Sequence, residues 1–378
     1  MTIPKLPNLG DRIPNRPHAV SVHLQTWNDM VKLGLHDSTL METLKHGYPR
    51  SILHSSVIDV SGMEYSKPGK LGANRLISWV KLSALCRKKL QAKHGHHSVL
   101  LFPSVTAARS CLDYVVSRTK FDHGSDPIKL YAIEFDLSGG KHVLYGVGYL
   151  EAASQVATTF WRLTGTGISS RRAQKCLQSQ GQLSASTVTG CTSDHPKAET
   201  HPVYSTLRSR IAGLLERTPA KVPRGKKVDP SDVFFYPSGM SAIYHIHQLL
   251  LQWRGNESAI LGFVYELTIK MAETYGPGSH FYGLGTESQI DQLEARLERM
   301  AENGQRMQAI WCECPSNPLL RTVNLRRLKQ LAEKYDVVVV VDETIASFAN
   351  VDVLDVADIV VSSLTKSFNG FGDVLAGR

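Results

Sequence analysis

Residues 337–366 read VVVVVDETIASFANVDVLDVADIVVSSLTK. Five consecutive valines ending at Asp342 predict a strand that is buried on both faces, because a strand with one solvated face would alternate apolar and polar residues. A second apolar run, IVVSSLTK, predicts another strand and ends on Lys366. Strands buried on both faces occur in parallel sheets that helices cover. This segment therefore predicts an α/β fold.

The sequence upstream repeats this alternation of strands and helices. Amphipathic helices are predicted in SQIDQLEARLERMAENG and LRRLKQLAEKYD, and short strands in AILGFVY, SHFYGLG and QAIWCECPSNP. The stretch FFYPSGMSAIYHIHQLLLQW predicts a short strand that turns into a long helix. Residues 202–378 are therefore predicted to form one domain with a mostly parallel sheet. In such sheets, ligands bind beyond the carboxyl ends of the strands.

The first half of the chain predicts separate regions. Residues 1–75 are expected to be poorly structured, apart from a helix near positions 37–46. Residues 76–177 alternate predicted helices and strands, which indicates an α/β N-terminal extension. Residues 178–201 are rich in Ser, Thr, Gly and Gln and predict a linker or flexible arm.

Composition excludes several classes of protein. Apolar residues make up 42% of the chain and charged residues 20%, as in globular proteins. No apolar run approaches the roughly 18 residues of a membrane span, and the N-terminus lacks the apolar core of a secretion signal. We therefore expect a cytoplasmic protein without a membrane partner. The six cysteines are scattered and are expected to be free thiols.

The net charge of +9 raises the question of nucleic-acid binding. The basic residues are spread out, and the dense cluster KVPRGKK has neither aromatic neighbours nor a zinc or helix-turn-helix pattern. We therefore expect no nucleic-acid partner, and we interpret the charge as a solvated surface or an attraction for anionic ligands. The histidines at positions 94, 96 and 97 lack an acidic or cysteine ligand at suitable spacing, so no metal site is predicted.

The segment YPSGMS, residues 236–241, joins the predicted short strand to the long helix. Ser238 is a suitable N-cap, and Gly239 allows the backbone to approach an anion closely. The amides of Gly239 and Met240 would then form a phosphate cradle at the positive end of the helix dipole. A capped helix without a ligand would show the same pattern.

Two charged residues end predicted buried strands. The carboxylate of Asp342 must be paired or functional. Beside a pyridinium nitrogen it would keep the ring protonated, whereas an N-cap or a buried salt bridge is the alternative. Burial would make Lys366 a nucleophilic amine, and a surface lysine after an edge strand is the alternative. Strand alternation would place the hydroxyls of Ser363 and Thr365 on one face, within reach of one phosphate.

Two further polar positions follow strands. Tyr265 ends AILGFVY, where its ring could stack on a cofactor, and Asn317 lies in the loop of ECPSNPLL, where its amide could bind a phenolic oxygen. Each alone is equally typical of packing or turn chemistry. The order of cradle, aromatic ring, Asn-Pro loop, Asp342 and then S-x-T-K matches the requirements of one cofactor, pyridoxal 5'-phosphate.

These motifs resemble the Cys/Met-metabolism family of pyridoxal-phosphate enzymes, of the aspartate-aminotransferase fold (fold type I), and within it fungal cystathionine gamma-synthase. The likeness is carried by FFYPSGMSAIYHIHQL, ECPSNPLLRTVNL, the stretch VVVVDETIASFANVDVLDVADIVVSSLTKSF and, upstream, TGTGISSRRAQKCL. It spans roughly residues 75–378. The resemblance implies a cofactor-binding large domain at 202–378, preceded by the extension.

The resemblance also implies roles for the site residues. Lys366 would hold the cofactor covalently and move protons, Asp342 would pair with the pyridine nitrogen, and Tyr265 would stack on the ring and assist proton transfer. Asn317 would bind the ring oxygen. The cofactor's phosphate would be held by Gly239, Met240, Ser363 and Thr365.

The implied reaction is γ-replacement, in which cysteine displaces the leaving group of an activated homoserine ester to give cystathionine in methionine biosynthesis. A cystathionine lyase or an O-acylhomoserine sulfhydrylase is an alternative, because the motifs set the cofactor rather than the leaving group. A non-catalytic paralogue is the alternative from another class. Members of the family are expected to be homodimers or homotetramers.

The sequence departs from the family pattern at two places. The stretch KAETHPVYSTLRSRIAGLL has no clear Tyr-x-Arg pair, which family members supply from the neighbouring subunit to the phosphate. The sequence ends at Arg378, so we expect the C-terminal small domain, with its arginine for the substrate α-carboxylate, to be missing. Activity in γ-replacement is therefore expected to be impaired.

Overall fold

The computed structural model describes a discontinuous set of residues. They are 7–16, 18–19, 21–35, 37–44, single positions between 82 and 90, 98–119, 128–137, 140–177, 183–189, 201–217 and 225–378. The chain divides into two compact units. The first comprises residues 1–162, 166–195 and 371–374, and the second comprises 163–165, 196–370 and 375–378.

The first unit is built on a four-stranded sheet in the order β1-β3-β2-β4, and every pairing in it is antiparallel. Its elements are α1 (Trp27–Gly34), α2 (Ser38–Thr43), β1 (Ser98–Phe102), α3 (Val105–Arg118), β2 (Lys129–Leu137), β3 (Gly140–Tyr149), α4 (Ser154–Thr164), α5 (Ser170–Leu177) and β4 (Leu183–Thr187). Inward residues of the sheet pack against α5, as Ile133 and Leu144 do with Ala173. The helix predicted near positions 37–46 is confirmed as α2.

Strand β4 lies inside the stretch predicted to be a linker. It pairs with β2 from Phe135↔Leu183 to Tyr131↔Thr187. The Ser/Thr-rich composition reflects an edge strand, in which only Leu183 is buried. The linker prediction is therefore wrong for these residues, and positions 190–200 lie outside the described part of the chain.

The second unit contains a five-stranded sheet in the order β6-β5-β7-β8-β9, and every pairing in it is parallel. This confirms the predicted parallel α/β domain. Its elements are α6 (Pro202–Leu215), α7 (Gly239–Trp253), β5 (Ser258–Leu261), α8 (Glu266–Thr274), β6 (Ser279–Tyr282), α9 (Glu287–Glu302), β7 (Ala309–Glu313), α10 (Leu325–Tyr335), β8 (Val338–Asp342), α11 (Ser347–Asn350) and β9 (Ile359–Val361).

The valine run of β8 packs on both faces of the sheet. Val339 and Val341 lie in the cluster that contains the buried leucines of α9 and α10. Val338 and Val340 lie in the opposite cluster, with the apolar faces of α7 and α8. Alternating residues of one strand therefore fill two cores, which is why the run contains no polar position until Asp342.

Several predicted strands are shorter than their sequence patterns indicate, or are absent. β5 ends at Leu261, where Gly262 has a left-handed φ of 79°, and Tyr265 instead precedes the first turn of α8. β9 ends at Val361 rather than at Lys366. The stretch FFYPSG contributes only one antiparallel bridge, between Tyr236 and Gly377.

No helix among the described residues is long and apolar enough to cross a bilayer.

Ile310 is the second residue of β7 and is fully buried. We expect Ile310→Ala to lower the free energy of unfolding by about 2–5 kcal/mol, because the deleted methyl groups leave a cavity between strand and helices. Chemical denaturation measures the change. Leu284→Ala is the control, because Leu284 is 71% exposed and its truncation should change stability by less than about 0.5 kcal/mol.

Candidate active site

The carboxyl ends of the parallel strands gather several predicted site residues. Glu313 and Asp342 are the last residues of β7 and β8 and are partners in the register of these strands. Lys366 follows β9, and its charge acts on both carboxyl groups. The sheet therefore brings an amine and two acids to one edge, as the order of strands predicts.

The segment before α7 has the geometry of a phosphate cradle. Ser238 is the N-cap of the helix, because its hydroxyl accepts the N–H of Ser241 at 3.1 Å, and it donates to the carbonyl of Gly165 at 3.1 Å. A Cβ on Gly239 would lie 2.9 Å from the Cβ of Ser363. Only glycine thus allows the first turn of α7 to lie this close to Ser363, and the first amides of a helix have no intrahelical acceptor.

The side chain of Met240 has a different task from its amide. It is 4% exposed and packs in the cluster that contains Val340 and Trp311. Its side chain therefore anchors the first turn of α7 to the sheet, while its backbone lies at the amino end of the helix.

Thr365 is placed differently from the prediction. Its hydroxyl accepts the N–H of Ala376 at 3.0 Å and lies 3.3 Å from the carbonyl oxygen of the same residue. The chain has left the strand by this point, since the N–H of Lys366 donates to the carbonyl of Ser363 at 3.1 Å. The prediction that strand alternation places the two hydroxyls on one face is therefore wrong: Ser363 lies against Gly239, and Thr365 binds the backbone of Ala376.

Lys366 is exposed rather than buried. The prediction of a desolvated lysine rested on a strand running to position 366, whereas β9 ends at Val361 and the chain then turns. The amine is accessible at the same edge of the sheet as the carboxyl group of Asp342.

The carboxyl group of Asp342 lies in an environment that disfavours its ionised form. It accepts the N–H of Thr344 at 2.9 Å. Desolvation raises the pKa of Asp342, and the hydrogen bond from Thr344 and the charges of Lys366 and Arg378 oppose that rise. A protonated ring nitrogen would be a suitable further partner for this group.

Glu313 is a site residue that sequence reasoning missed. One of its carboxylate oxygens accepts the N–H of Tyr265 at 2.6 Å and the other accepts the N–H of Asn317 at 3.2 Å. Burial and, next, the charge of Asp342 raise the pKa of Glu313 to about 7, and these hydrogen bonds and Lys366 oppose the rise. The available signal was the one used for Asp342, an acid at the end of an apolar strand.

Tyr265 and Asn317 both lie in loops at this edge. The ring of Tyr265 is 41% exposed, and Asn317 is exposed as well. The two residues are brought together by Glu313, which binds the backbone of each.

Arg378 is the buried cation of this region. It forms an ion pair with Glu343, which is 1% exposed, and its backbone exchanges two hydrogen bonds with Ser362. Burial raises the pKa of Glu343 to about 7, and Arg378 opposes that rise. The guanidinium of Arg378 is therefore engaged with the protein's own carboxylate.

Within the described ranges, no group of three or more His, Cys, Asp or Glu side chains could hold a metal ion. The described cysteines at positions 86, 111, 176, 312 and 314 are free and buried.

Two family descriptions match the chain. Residues 167–378 match "Cys/Met metabolism PLP-dependent enzyme", and residues 78–169 match "Fungal trans-sulfuration enzyme, N-terminal domain".

Three relatives illustrate the range of names among similar proteins. Alanine racemase ungC of Aspergillus violaceofuscus is 40% identical over 100% of this chain and 66% of its own length. Cystathionine gamma-synthase-like enzyme iboG1 of Amanita muscaria is 34% identical over 96% of this chain and 64% of its own. Cystathionine gamma-synthase of Neurospora crassa is 31% identical over 98% and 70%. The chain thus spans about two thirds of the length of these relatives.

The residues present fit pyridoxal phosphate. The close approach at Gly239 brings the hydroxyl of Ser363 beside the first turn of α7, where amides without an intrahelical acceptor could bind an anion. Burial raises the pKa of Asp342, and the positive charge of a pyridinium would lower it again. The exposed amine of Lys366 is near enough for its charge to act on the carboxyl group of Asp342.

We expect Gly239→Ala to weaken binding of pyridoxal phosphate roughly tenfold to a hundredfold, because displacement of Ser363 or of the helix terminus removes charge-assisted hydrogen bonds to phosphate. Titration of the cofactor's visible absorbance measures the affinity. Gly213→Ala in α6 is the matched control, since a Cβ there meets open space. Equal affinities of the two variants would contradict the cradle.

The raised pKa of Glu313 predicts a dependence of stability on pH. Between its ordinary value of 4.5 and about 7, the folded protein binds the proton of Glu313 more tightly than the unfolded chain does, so ionisation destabilises the fold as pH rises. Glu313→Gln lacks this titration. The stability of the variant relative to the wild type should therefore increase with pH by up to roughly 1.4 kcal/mol per unit. Urea unfolding at several pH values tests this, and a constant difference would contradict it.

Proposed function

Because the chain belongs to the Cys/Met-metabolism family of pyridoxal-phosphate enzymes, we propose that it catalyses γ-replacement on an activated homoserine ester, with cysteine as the incoming thiol. The observation that carries the proposal is that Lys366 and Asp342 interact electrostatically at the carboxyl edge of a parallel sheet, with Gly239 at the start of α7 packed against Ser363. The product would be cystathionine, for methionine biosynthesis in the cytoplasm. A homodimer or homotetramer is proposed with it.

Each residue has a proposed task. Pyridoxal phosphate, when bound, supplies an electron sink for negative charge at the substrate α-carbon. The amine of Lys366 would hold the cofactor and move the α-proton, and the carboxylate of Asp342 would accept a hydrogen bond from the ring nitrogen. The ring of Tyr265 would stack on the cofactor ring, and the amide of Asn317 would donate to the ring oxygen.

The phosphate would be held mainly at the start of α7. The amides of Gly239 and Met240 point from the amino end of the helix, and the hydroxyl of Ser363 lies beside Gly239. Thr365 supports the site through its bonds to Ala376. We propose this arrangement in place of two hydroxyls on one strand face.

Alanine racemisation is the second candidate function. It is favoured by the relative named alanine racemase, which is 40% identical over the whole of this chain. Racemisation and γ-replacement both begin with removal of the α-proton, which the amine of Lys366 would perform. They differ afterwards, since a racemase returns a proton to the opposite face, whereas γ-replacement breaks the bond from the γ-carbon to its leaving group.

Parallel assays separate these candidates. The chain is incubated with cofactor and either cysteine plus O-acetyl-, O-succinyl- or O-phosphohomoserine, or L-alanine in deuterated water. Cystathionine formation supports γ-replacement. Formation of D-alanine with deuterium at the α-carbon supports racemisation, and elimination products without a thiol requirement would indicate a lyase.

We expect Lys366→Arg to abolish covalent attachment of pyridoxal phosphate, because a guanidinium does not form the imine that an amine forms. Borohydride reduction followed by peptide mapping should label Lys366 in the wild type and nothing in the variant. Lys270→Arg is the control, since Lys270 pairs with Glu266 on the surface of α8. Labelling of another lysine in folded wild-type protein would refute the assignment.

A further inference from the structure

We infer that Glu313 is a positioning residue that holds the loops of Tyr265 and Asn317 in the geometry needed to bind the cofactor ring. This inference rests on the proposed function, because it concerns how the proposed ring-binding side chains are held. It adds a role for a residue that would itself contact neither cofactor nor substrate.

The carboxylate of Glu313 connects two loops that are distant in sequence. One oxygen accepts the N–H of Tyr265 at 2.6 Å, and the other accepts the N–H of Asn317 at 3.2 Å. Glu313 itself ends β7, in the middle of the parallel sheet and in register with Asp342. Both loops are thereby tied to the strand end beside the proposed partner of the ring nitrogen.

These bonds matter because burial does not position the two side chains. Tyr265 is 41% exposed, and Asn317 is exposed in its loop. Tyr265 precedes α8 without a side-chain cap hydrogen bond. Glu313, in contrast, is a buried residue of the sheet. A rigid group therefore fixes the backbones from which two exposed side chains project.

The chemistry of the bonds requires a carboxyl group, because both of its oxygens can accept. Each oxygen of Glu313 accepts one backbone N–H, so both positions must be acceptors. A glutamine keeps the size but replaces one acceptor by an NH₂ donor, which would face a second donor. The charged groups around Glu313 are Asp342, which is repulsive, and Lys366, which is attractive. A second acid beside Asp342 therefore has an electrostatic cost. The hydrogen bonds that Glu313 accepts from the two backbone amides explain why an acid is present at this position.

The test compares Glu313→Gln with Glu257→Gln in the 378-residue chain. Glu257 precedes β5 at the opposite edge of the same sheet, where it also has two partners, His280 and Arg296. We expect Glu313→Gln to weaken pyridoxal-phosphate binding roughly tenfold to a hundredfold. At saturating cofactor, its visible circular dichroism should also differ from that of the wild type, because that signal reports ring orientation. Glu257→Gln should leave both properties unchanged.

Two further variants make the test independent of folding losses. Glu313→Asp keeps the charge but shortens the side chain, so it cannot reach both loops and should show the same altered dichroism. In a Tyr265→Ala, Asn317→Ala background, addition of Glu313→Gln should change affinity by less than about twofold, because the groups through which Glu313 acts are absent.

The outcomes separate this inference from the proposed function. A wild-type chain that folds but does not bind pyridoxal phosphate through Lys366 would overturn the proposed function. A wild type that binds while Glu313→Gln has the same affinity and dichroism would overturn the role of Glu313 alone. Two other outcomes would also overturn the inference, because they would show that Glu313 only stabilises the fold. One is an equal effect of the Glu313 and Glu257 variants on affinity and dichroism. The other is an effect of Glu313→Gln on affinity that is as large in the Tyr265→Ala, Asn317→Ala background as in the wild type.

Discussion

The parallel register of β7 and β8 is the constraint on which the candidate site depends. It makes Glu313 and Asp342 neighbours at one edge of the sheet. Parallel strands place all their carboxyl ends at the same edge of the sheet. The residues that follow β5, β7 and β9 therefore all lie at this edge. A slip of one residue would turn Asp342 to the other face of the sheet and separate it from Lys366.

This register also concentrates negative charge. Burial raises the pKa of Glu313 and of Glu343 to about 7 and raises the pKa of Asp342 as well. Each acid has its own compensation: two backbone amides at Glu313, an ion pair with Arg378 at Glu343, and at Asp342 the hydrogen bond from Thr344 together with the charges of Lys366 and Arg378. A pyridinium nitrogen placed against Asp342 would add positive charge beside a carboxyl group whose ionised form is disfavoured by burial. The electrostatics and the proposed cofactor are therefore mutually consistent.

The names of the relatives show how little of the reaction such a site specifies. Proteins named alanine racemase and cystathionine gamma-synthase both align over nearly the whole chain. A lysine amine and a carboxylate partner for the ring nitrogen serve the removal of an α-proton in either reaction. The later steps of the reaction depend on the groups around the substrate's side chain.

The sequence by itself determined the parallel sheet, because runs such as the valines before Asp342 are uninterrupted only when both faces are buried. It also determined that Asp342 ends the valine strand. Only the tertiary structure decided where strands stop and which groups share an environment. Thr365 bonds Ala376 instead of extending β9, and β4 forms because β2, distant in sequence, offers it an edge. Glu313 carried the same local signal as Asp342, but its role became visible only when folding brought Tyr265 and Asn317 to its two oxygens, since strand ends, burial and hydrogen-bond partners depend on residues far apart in the chain.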